Sequence, residues 1–279
     1  MPIIPSARTM FVHTSNVLKW NTRSLLKNPM DEPTKCIETV LHCWHKNTAC
    51  KDLRTTEEIN VACELHRDKI PDSERPDICV TAKVFLSTYD ADAVRQAVNR
   101  TLDRLGLADI ETLIVSVDPE LSKAPITDVP PCMDFPSAKI CKGTAESLLK
   151  VWPILEEFVK SNKVFRLGVC DMSADEMELL HSSVKIPPKV NQLFLGSSCL
   201  ISDELQNFAK LHDVQLTTHQ DSSDILRTDW LVSIISQEFS PDDATGWRPL
   251  WLVRYSEMFK HRGVIRSKGY TLLAERTAA

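Results

Sequence analysis

From residue 79 onward the sequence alternates short β-branched, apolar runs with amphipathic helical segments. The run Cys79–Leu86 has the length and composition of a buried strand. Asp90 then begins a segment whose apolar residues recur at the spacing of one helical face as far as Gly106, which ends it. Such alternation predicts βαβ units with a parallel sheet. It is typical both of a doubly wound sheet and of a closed (β/α)8 barrel, and periodicity does not separate them.

The same patterns predict the remaining elements. Further strands are expected at 111–117, 164–169, 190–195, 214–218 and 263–266. Helices are expected at 34–48, 144–161, 173–182, 202–211, 222–238 and 249–261. Ser173 and Glu176 have the spacing of a capping box, which predicts the start of one of these helices.

Two segments lack this regularity. Residues 1 to about 75 mix short apolar runs with proline breaks, and the proline-rich stretch at 118–143 excludes a continuous helix or strand. So long an excursion predicts a functional or interface loop, and we expect it to order at least partly on assembly with a partner. Because single α/β barrels of about 250 residues are ordinary, we interpret residues 1–279 as one domain.

Charge and hydropathy exclude several classes of function. The net charge of −5 argues against attraction to phosphate backbones, so we do not expect a nucleic acid partner. No apolar run approaches the ~18 residues of a membrane span, and the N-terminal residues lack the apolar centre of a signal peptide. These features predict a cytoplasmic protein that does not bind membranes. Nine irregularly spaced cysteines without a zinc-type pair predict reduced thiols and no metal site.

Three segments resemble the aldo-keto reductases, and their order and spacing match as well. Val164–Val169 resembles the strand-five signature of that family, Lys189–Gln192 its strand-six signature, and Phe208–Val214 the helix and turn that follow. The resemblance implies a single (β/α)8 TIM barrel, with an irregular N-terminal region. Because the sequence ends soon after the expected eighth strand, the resemblance also implies a shortened C-terminus.

The catalytic residues that the resemblance implies are mostly missing. An aldo-keto reductase uses a tyrosine as general acid, assisted by a lysine and an aspartate, with a histidine that orients the carbonyl group. Lys83 matches the lysine by position, but residues 27–60 contain no tyrosine, and Ser116 or Val117 stands where the histidine is expected. We therefore predict no catalytic residues and interpret Lys83 as a vestigial, structural lysine, satisfied by a carboxylate or a carbonyl group.

The residues that would contact a nicotinamide cofactor are also altered. Cys170 and Asp171 stand where the family usually has a Ser-Asn pair, and Asp171 adds a negative charge. Gln192 remains as a possible amide contact, so Gln192 and Asp171 mark a vestigial nucleotide pocket. With seven glycines, the sequence contains no GxGxxG or Walker A loop. No cofactor is predicted. The alternative that stays open is an NADPH-dependent reductase with an atypical active site, motivated by Lys83 and Gln192.

Within the superfamily, the sequence resembles the regulatory subunits of glutamate–cysteine ligase. The resemblance is carried by residues 7–26 and by the segments Trp247–Ser256 and Arg262–Tyr270. It implies a non-catalytic chain that forms a heterodimer with the catalytic subunit of the ligase in glutathione biosynthesis. Such a chain increases the affinity of that subunit for glutamate and relieves feedback inhibition by glutathione, while the ATP chemistry stays on the partner. A scaffold that has lost both roles is the remaining alternative.

Aromatic and arginine side chains dominate binding hot spots, and they are concentrated near the C-terminal end of the sequence. The interface residues predicted on this ground are Trp247, Arg248, Trp251, Arg254, Tyr255, Arg262, Arg266 and Tyr270. For the apolar members, a place in the core is an equal alternative. Cys199 is a possible redox thiol that would bridge to the partner, with a buried, inert thiol as the alternative.

Overall fold

A computed structural model describes residues 3–20, 30–48, 53–62, 69–117, 144–194, 201–222 and 225–277. The predicted excursion loop at 118–143 and Cys199 lie outside these residues. The strands are β1 Thr9–His13, β2 Glu58–Ala62, β3 Ile78–Leu86, β4 Ile110–Val117, β5 Val164–Cys170, β6 Val190–Phe194, β7 Gln215–His219, β8 Trp247–Phe259 and β9 Val264–Arg276. The helices are α1 Glu32–Asn47, α2 Ala91–Leu105, α3 Thr144–Leu148, α4 Trp152–Lys160, α5 Ala174–Ser183, α6 Asp203–His212, α7 Thr228–Glu238 and α8 Pro241–Ala244.

The strands form one sheet in the order β2-β1-β9-β8-β3-β4-β5-β6-β7. The neighbours from β3 to β7 are all parallel, which confirms the predicted βαβ succession. Side chains of α2, α4, α5 and α6 pack with these strands in one apolar core. A second core joins β1, β2, β8 and β9 to α1 and α7.

Helix α2 shows why the sequence predicts the start, the end and the buried face of this helix. The Asp90 carboxylate accepts a hydrogen bond of 3.1 Å from the backbone N–H of Asp92. Gly106 ends the helix in the left-handed conformation, at φ 69°, which glycine adopts without steric cost. Its predicted apolar face is buried: Val94, Ala97, Val98, Thr101, Leu102 and Leu105.

The predicted helix at 249–261 is wrong, because this segment lies in the long strand β8. The short strand predicted at 263–266 is part of β9, which pairs with β8 in an antiparallel hairpin. Trp251 packs in the first core and Leu252 in the second, so apolar residues lie on both sides of the strand. Such a strand lacks the alternation that distinguishes it from a buried helix. The hairpin lies between β1 and β3. Its strand β9 pairs antiparallel with β1, and its strand β8 pairs antiparallel with β3, where eight parallel strands were expected.

The predicted helix at 144–161 is divided into α3 and α4. Pro153 occupies the first turn of α4, where its missing N–H does not break a helical hydrogen bond. Within a single longer helix the same proline would remove such a bond. The division is therefore a proline effect that helical periodicity alone does not reveal.

Helix α5 begins at the capping box that the sequence predicts. The Ser173 hydroxyl accepts from the Glu176 backbone N–H at 3.3 Å, and the Glu176 carboxylate accepts from the Ser173 N–H at 3.1 Å.

We expect Ser173→Ala to lower the free energy of unfolding by about 1 kcal/mol, because one N–H at the helix start loses its acceptor. Urea denaturation measures this change. Ser182→Ala, on the exposed end of the same helix, serves as the control. Equal losses for the two variants would contradict the capping role.

Candidate functional site

Lys83 lies on β3 and is buried, with 2% of its surface exposed. Its ammonium nitrogen Nζ donates to Asp221 Oδ2 at 2.7 Å. Asp221 follows β7, so this ion pair joins segments 138 positions apart in the sequence. Lys83 is thus buried and bound to a carboxylate, as expected, while its interpretation as a vestigial, structural lysine stays a prediction.

Asp221 is shared by three partners. Its other carboxylate oxygen accepts from the guanidinium of Arg254, the residue that pairs with Lys83 across β3 and β8. His219 Nδ1 lies 3.2 Å from Asp221 Oδ2. Burial by itself raises the pKa of the Asp221 carboxyl. The hydrogen bond from His219 and the charges of Arg254 and Lys83 outweigh burial and hold that pKa well below its ordinary value. Asp221 is therefore an anion at neutral pH.

The other ring nitrogen of His219 faces Asp171, which follows β5. His219 Nε2 lies 3.0 Å from Asp171 Oδ2, while Asp171 Oδ1 accepts from the Phe194 backbone N–H at 2.6 Å. Asp171 adopts φ 55°, a left-handed conformation that aspartate tolerates better than most residues. The two aspartates and His219 thus connect the carboxyl ends of β5, β6 and β7.

Cys170, Gln192 and Thr217 lie side by side on β5, β6 and β7. Burial raises the pKa of the Cys170 thiol to about 11, against a smaller opposing effect of Lys83. The thiol is therefore protonated and unreactive at neutral pH. Gln192 Oε1 and Thr217 Oγ1 are buried, and neither has a hydrogen-bond partner among the described residues.

These residues do not fit the catalysis of a nicotinamide-dependent reductase. The Lys83 ammonium is bound to Asp221, a lysine–aspartate pair that an active reductase also uses, so this pair does not decide the question. The general acid does, because residues 27–60 contain no tyrosine. The Tyr270 hydroxyl donates to Glu32 at 2.5 Å. Burial and the Glu32 carboxylate raise the Tyr270 pKa far above its usual range, the opposite of what a general acid needs. Gln192 retains a free amide oxygen, but the neighbouring Asp171 carboxylate, about half exposed, adds negative charge beside any nucleotide.

The predicted interface residues divide by exposure. The four aromatic ones, Trp247, Trp251, Tyr255 and Tyr270, are at most 1% exposed. They lie on strands covered on both faces rather than on a surface helix, so of the two alternatives the burial of these side chains favours a place in the core. Arg254 belongs to the Asp221 cluster. Arg266 donates to Glu257 at 2.5 Å and is partly buried. Arg248 and Arg262 are exposed.

His219 and Asp221 were not singled out in the sequence, although a signal existed. Both come at or just after the carboxyl end of a predicted strand, and these ends meet at one edge of a parallel sheet. Arg254 was singled out, but as a surface residue.

Within the described ranges, no group of three or more His, Cys, Asp or Glu side chains is arranged to hold a metal ion. Among the helices of these ranges, none combines the length and the apolar content of a membrane span.

Comparison with known proteins places this architecture in a family. The model of the aldo/keto reductase family matches residues 55–220, more than half of the chain. The chain therefore belongs to the aldo/keto reductase family, and the predicted α/β fold class of that type is confirmed, with the β8–β9 hairpin as its local departure. An aldose reductase from Giardia lamblia has a TM-score of 0.39 and 16% identity, covering 67% of this chain and 53% of its own.

Whole-chain comparison is more specific. The glutamate–cysteine ligase regulatory subunits of Mus musculus and Homo sapiens are each 30% identical to this chain. Each alignment covers 98% of this chain and 95% of the relative. The chain thus belongs to the family of glutamate–cysteine ligase regulatory subunits.

Proposed function

We propose that this chain is a non-catalytic, cytoplasmic regulatory subunit of glutamate–cysteine ligase. It binds the catalytic subunit as a heterodimer, increases the affinity of that subunit for glutamate and relieves feedback inhibition by glutathione. The observation that carries the proposal is the alignment with the mammalian regulatory subunits over 98% of the chain. The lack of a tyrosine in residues 27–60 and the engagement of the Tyr270 hydroxyl by Glu32 support a chain without reductase chemistry.

Regulation of this kind requires differential binding. The chain must bind one conformation of the catalytic subunit more tightly than another, because only a difference in affinity shifts a conformational equilibrium. A coupling free energy of about 1–3 kcal/mol changes substrate affinity by about 5- to 150-fold. No catalytic group of this chain is needed for that effect.

The test is kinetic and uses both subunits. The Michaelis constant for glutamate and the inhibition by glutathione are measured for the purified catalytic subunit, with and without this chain, alongside size-exclusion chromatography of the mixture. We expect a stoichiometric complex with a lower constant for glutamate and weaker inhibition. If no complex forms and the kinetics do not change, the regulatory proposal fails, and binding of NADPH to the chain alone would then favour the reductase alternative.

Arg262 is one of the two predicted interface arginines that the structure leaves exposed. It lies in the turn between β8 and β9, next to Val264 and Ile265, whose exposed fractions are 55% and 48%. Arginine is one of the residue types enriched at binding hot spots, and exposed apolar side chains close to it in the sequence are of the kind that a partner surface covers. Because a hot-spot residue contributes about 2 kcal/mol or more, we expect Arg262→Glu to weaken the complex about 30-fold.

The measurement is the dissociation constant of the complex by calorimetry. Arg95→Glu, an exposed substitution on α2, is the matched control, because it makes the same change of charge elsewhere on the surface. Equal affinity of the Arg262 variant and the control would remove the hairpin turn from the proposed interface.

A further inference from the structure

Asp221 offers the His219 ring both an acceptor, its carboxylate, and a donor, its backbone N–H. Nδ1 lies 3.2 Å from Asp221 Oδ2 and 3.1 Å from the Asp221 backbone nitrogen. On the other side of the ring, Nε2 lies 3.0 Å from Asp171 Oδ2. The His219 side chain is only 6% exposed, so water competes little for these contacts.

The protonation state of the ring decides which contact with Asp221 is made. A protonated Nδ1–H donates to the carboxylate but repels the backbone N–H. An unprotonated Nδ1 accepts from the backbone N–H but directs its lone pair toward the carboxylate. The bond from Nε2–H to Asp171 is compatible with both states, and it selects the neutral tautomer in which Nδ1 is the unprotonated nitrogen.

The ring is surrounded by charges that respond to this choice. Lys83 on β3 and Arg254 on β8 share the Asp221 carboxylate, and Cys170 lies buried at the end of β5 beside Asp171. From β6, Phe194 contributes an uncharged ring with its centroid 5.7 Å from that of His219. A displacement of the Asp221 carboxylate therefore changes the contacts of two cations on two other strands.

We propose that His219 is a proton-operated switch at this edge of the sheet. Protonation binds the ring to the Asp221 carboxylate, and deprotonation transfers it to the Asp221 backbone amide. The change passes through that carboxylate to Lys83 and Arg254. This switch is a property of the chain alone and does not depend on the proposed regulatory role.

The direct test is nitrogen NMR of the unmodified chain, titrated from about pH 5 to 9, where histidine charge changes occur. We expect Nδ1 to lose its proton, Nε2 to keep its own, and the Asp221 amide resonance to shift with the same midpoint. Burial and Lys83 lower the His219 pKa, but the hydrogen bonds to Asp171 and Asp221 raise it above its ordinary value. The midpoint is therefore expected above that value. Loss of the proton from Nε2, or an Asp221 amide that does not follow the ring, would overturn the switch.

Two substitutions sharpen the test. Asp171→Asn preserves the shape of the side chain but removes a carboxylate, so the midpoint for His219 is expected to fall. His261→Gln, at a histidine side chain that is 81% exposed, is the control and should leave that midpoint unchanged. An unchanged midpoint in the Asp171 variant would show that this carboxylate does not stabilise the protonated ring.

Stability provides an independent measurement. Because the folded-state pKa of His219 is raised, its stabilising contribution is fully present below the unfolded pKa and is lost as pH rises through the folded pKa. The unmodified chain should therefore lose stability over that interval relative to His219→Gln, as measured by urea denaturation at each pH. Parallel pH profiles for the two chains would contradict the proposal.

Discussion

Gly269→Ala is expected to destabilise the fold by about 3 kcal/mol or more, at or beyond the upper end of the usual cost of overpacking. A Cβ atom at this position would lie 2.3 Å from the Ser15 carbonyl oxygen and 2.3 Å from the Tyr255 hydroxyl oxygen. Tyr255 is buried and stacks on His13, with ring centroids 5.9 Å apart, so it has little room to move away. Relief of the contact requires a shift of β9 away from the Ser15 backbone, which follows β1.

Urea denaturation of Gly269→Ala measures this effect, and Gly263→Ala is a matched control in the same hairpin. A Cβ at Gly263 meets no atom within 4 Å, but the residue adopts φ 62°. Its substitution should therefore cost only the left-handed penalty, about 1–2 kcal/mol. If Gly269→Ala proves no more destabilising than this control, the close approach of Tyr255 and β9 is not as rigid as the packing indicates.

Asp221→Ala is expected to lower the free energy of unfolding by about 3–5 kcal/mol, the usual loss when one partner of a buried ion pair is removed. The substitution leaves the Lys83 ammonium buried without its carboxylate and removes the acceptor of Arg254. The penalty comes mainly from the unpaired charge. We therefore expect the double variant Lys83→Met with Asp221→Leu to be considerably more stable than Asp221→Ala alone, because it buries no charge at these two positions.

Denaturation midpoints of the single and double variants test this expectation. Glu275→Ala is the control, because it breaks an exposed pair with Arg248 and should cost less than about 1 kcal/mol. A loss for Asp221→Ala that is no larger than for the control would mean that water reaches Lys83. A double variant as unstable as the single one would assign the loss to packing rather than to the unpaired charge.

Local signals were sufficient where an element is amphipathic and its ends are marked. Helix α2 lies between Asp90 and Gly106, and α5 begins at its capping box, as the sequence predicts. Strand β8 is the opposite case, because its apolar side chains pack on both faces of the sheet. Two pairings make this segment a strand rather than a helix. One is with β3, which is distant in the sequence, and the other is with β9, which the turn of the hairpin brings alongside.

The site shows the same division. Lys83 and Gln192 were recognisable from the motifs around them, and so was the absence of a tyrosine from residues 27–60. The partner of Lys83 was not, because Asp221 is 138 positions away and becomes a neighbour only when the strands assemble. For the aromatic residues of β8 and β9 the sequence leaves surface and core open for a related reason, since residue type alone does not reveal whether the strand that carries them is covered.

By itself, the sequence determined the alternation of strands and helices, the caps of α2 and α5, and the family to which the chain belongs. Each of these depends on residues close together in the chain or on motifs in a matching order. Only the tertiary structure decided that the C-terminal segment is a hairpin, that its aromatic residues are buried, and that Asp221 joins Lys83, His219 and Arg254. The physical reason is that strand pairing and burial of charge join residues far apart in sequence, where local propensity carries no information about the partner.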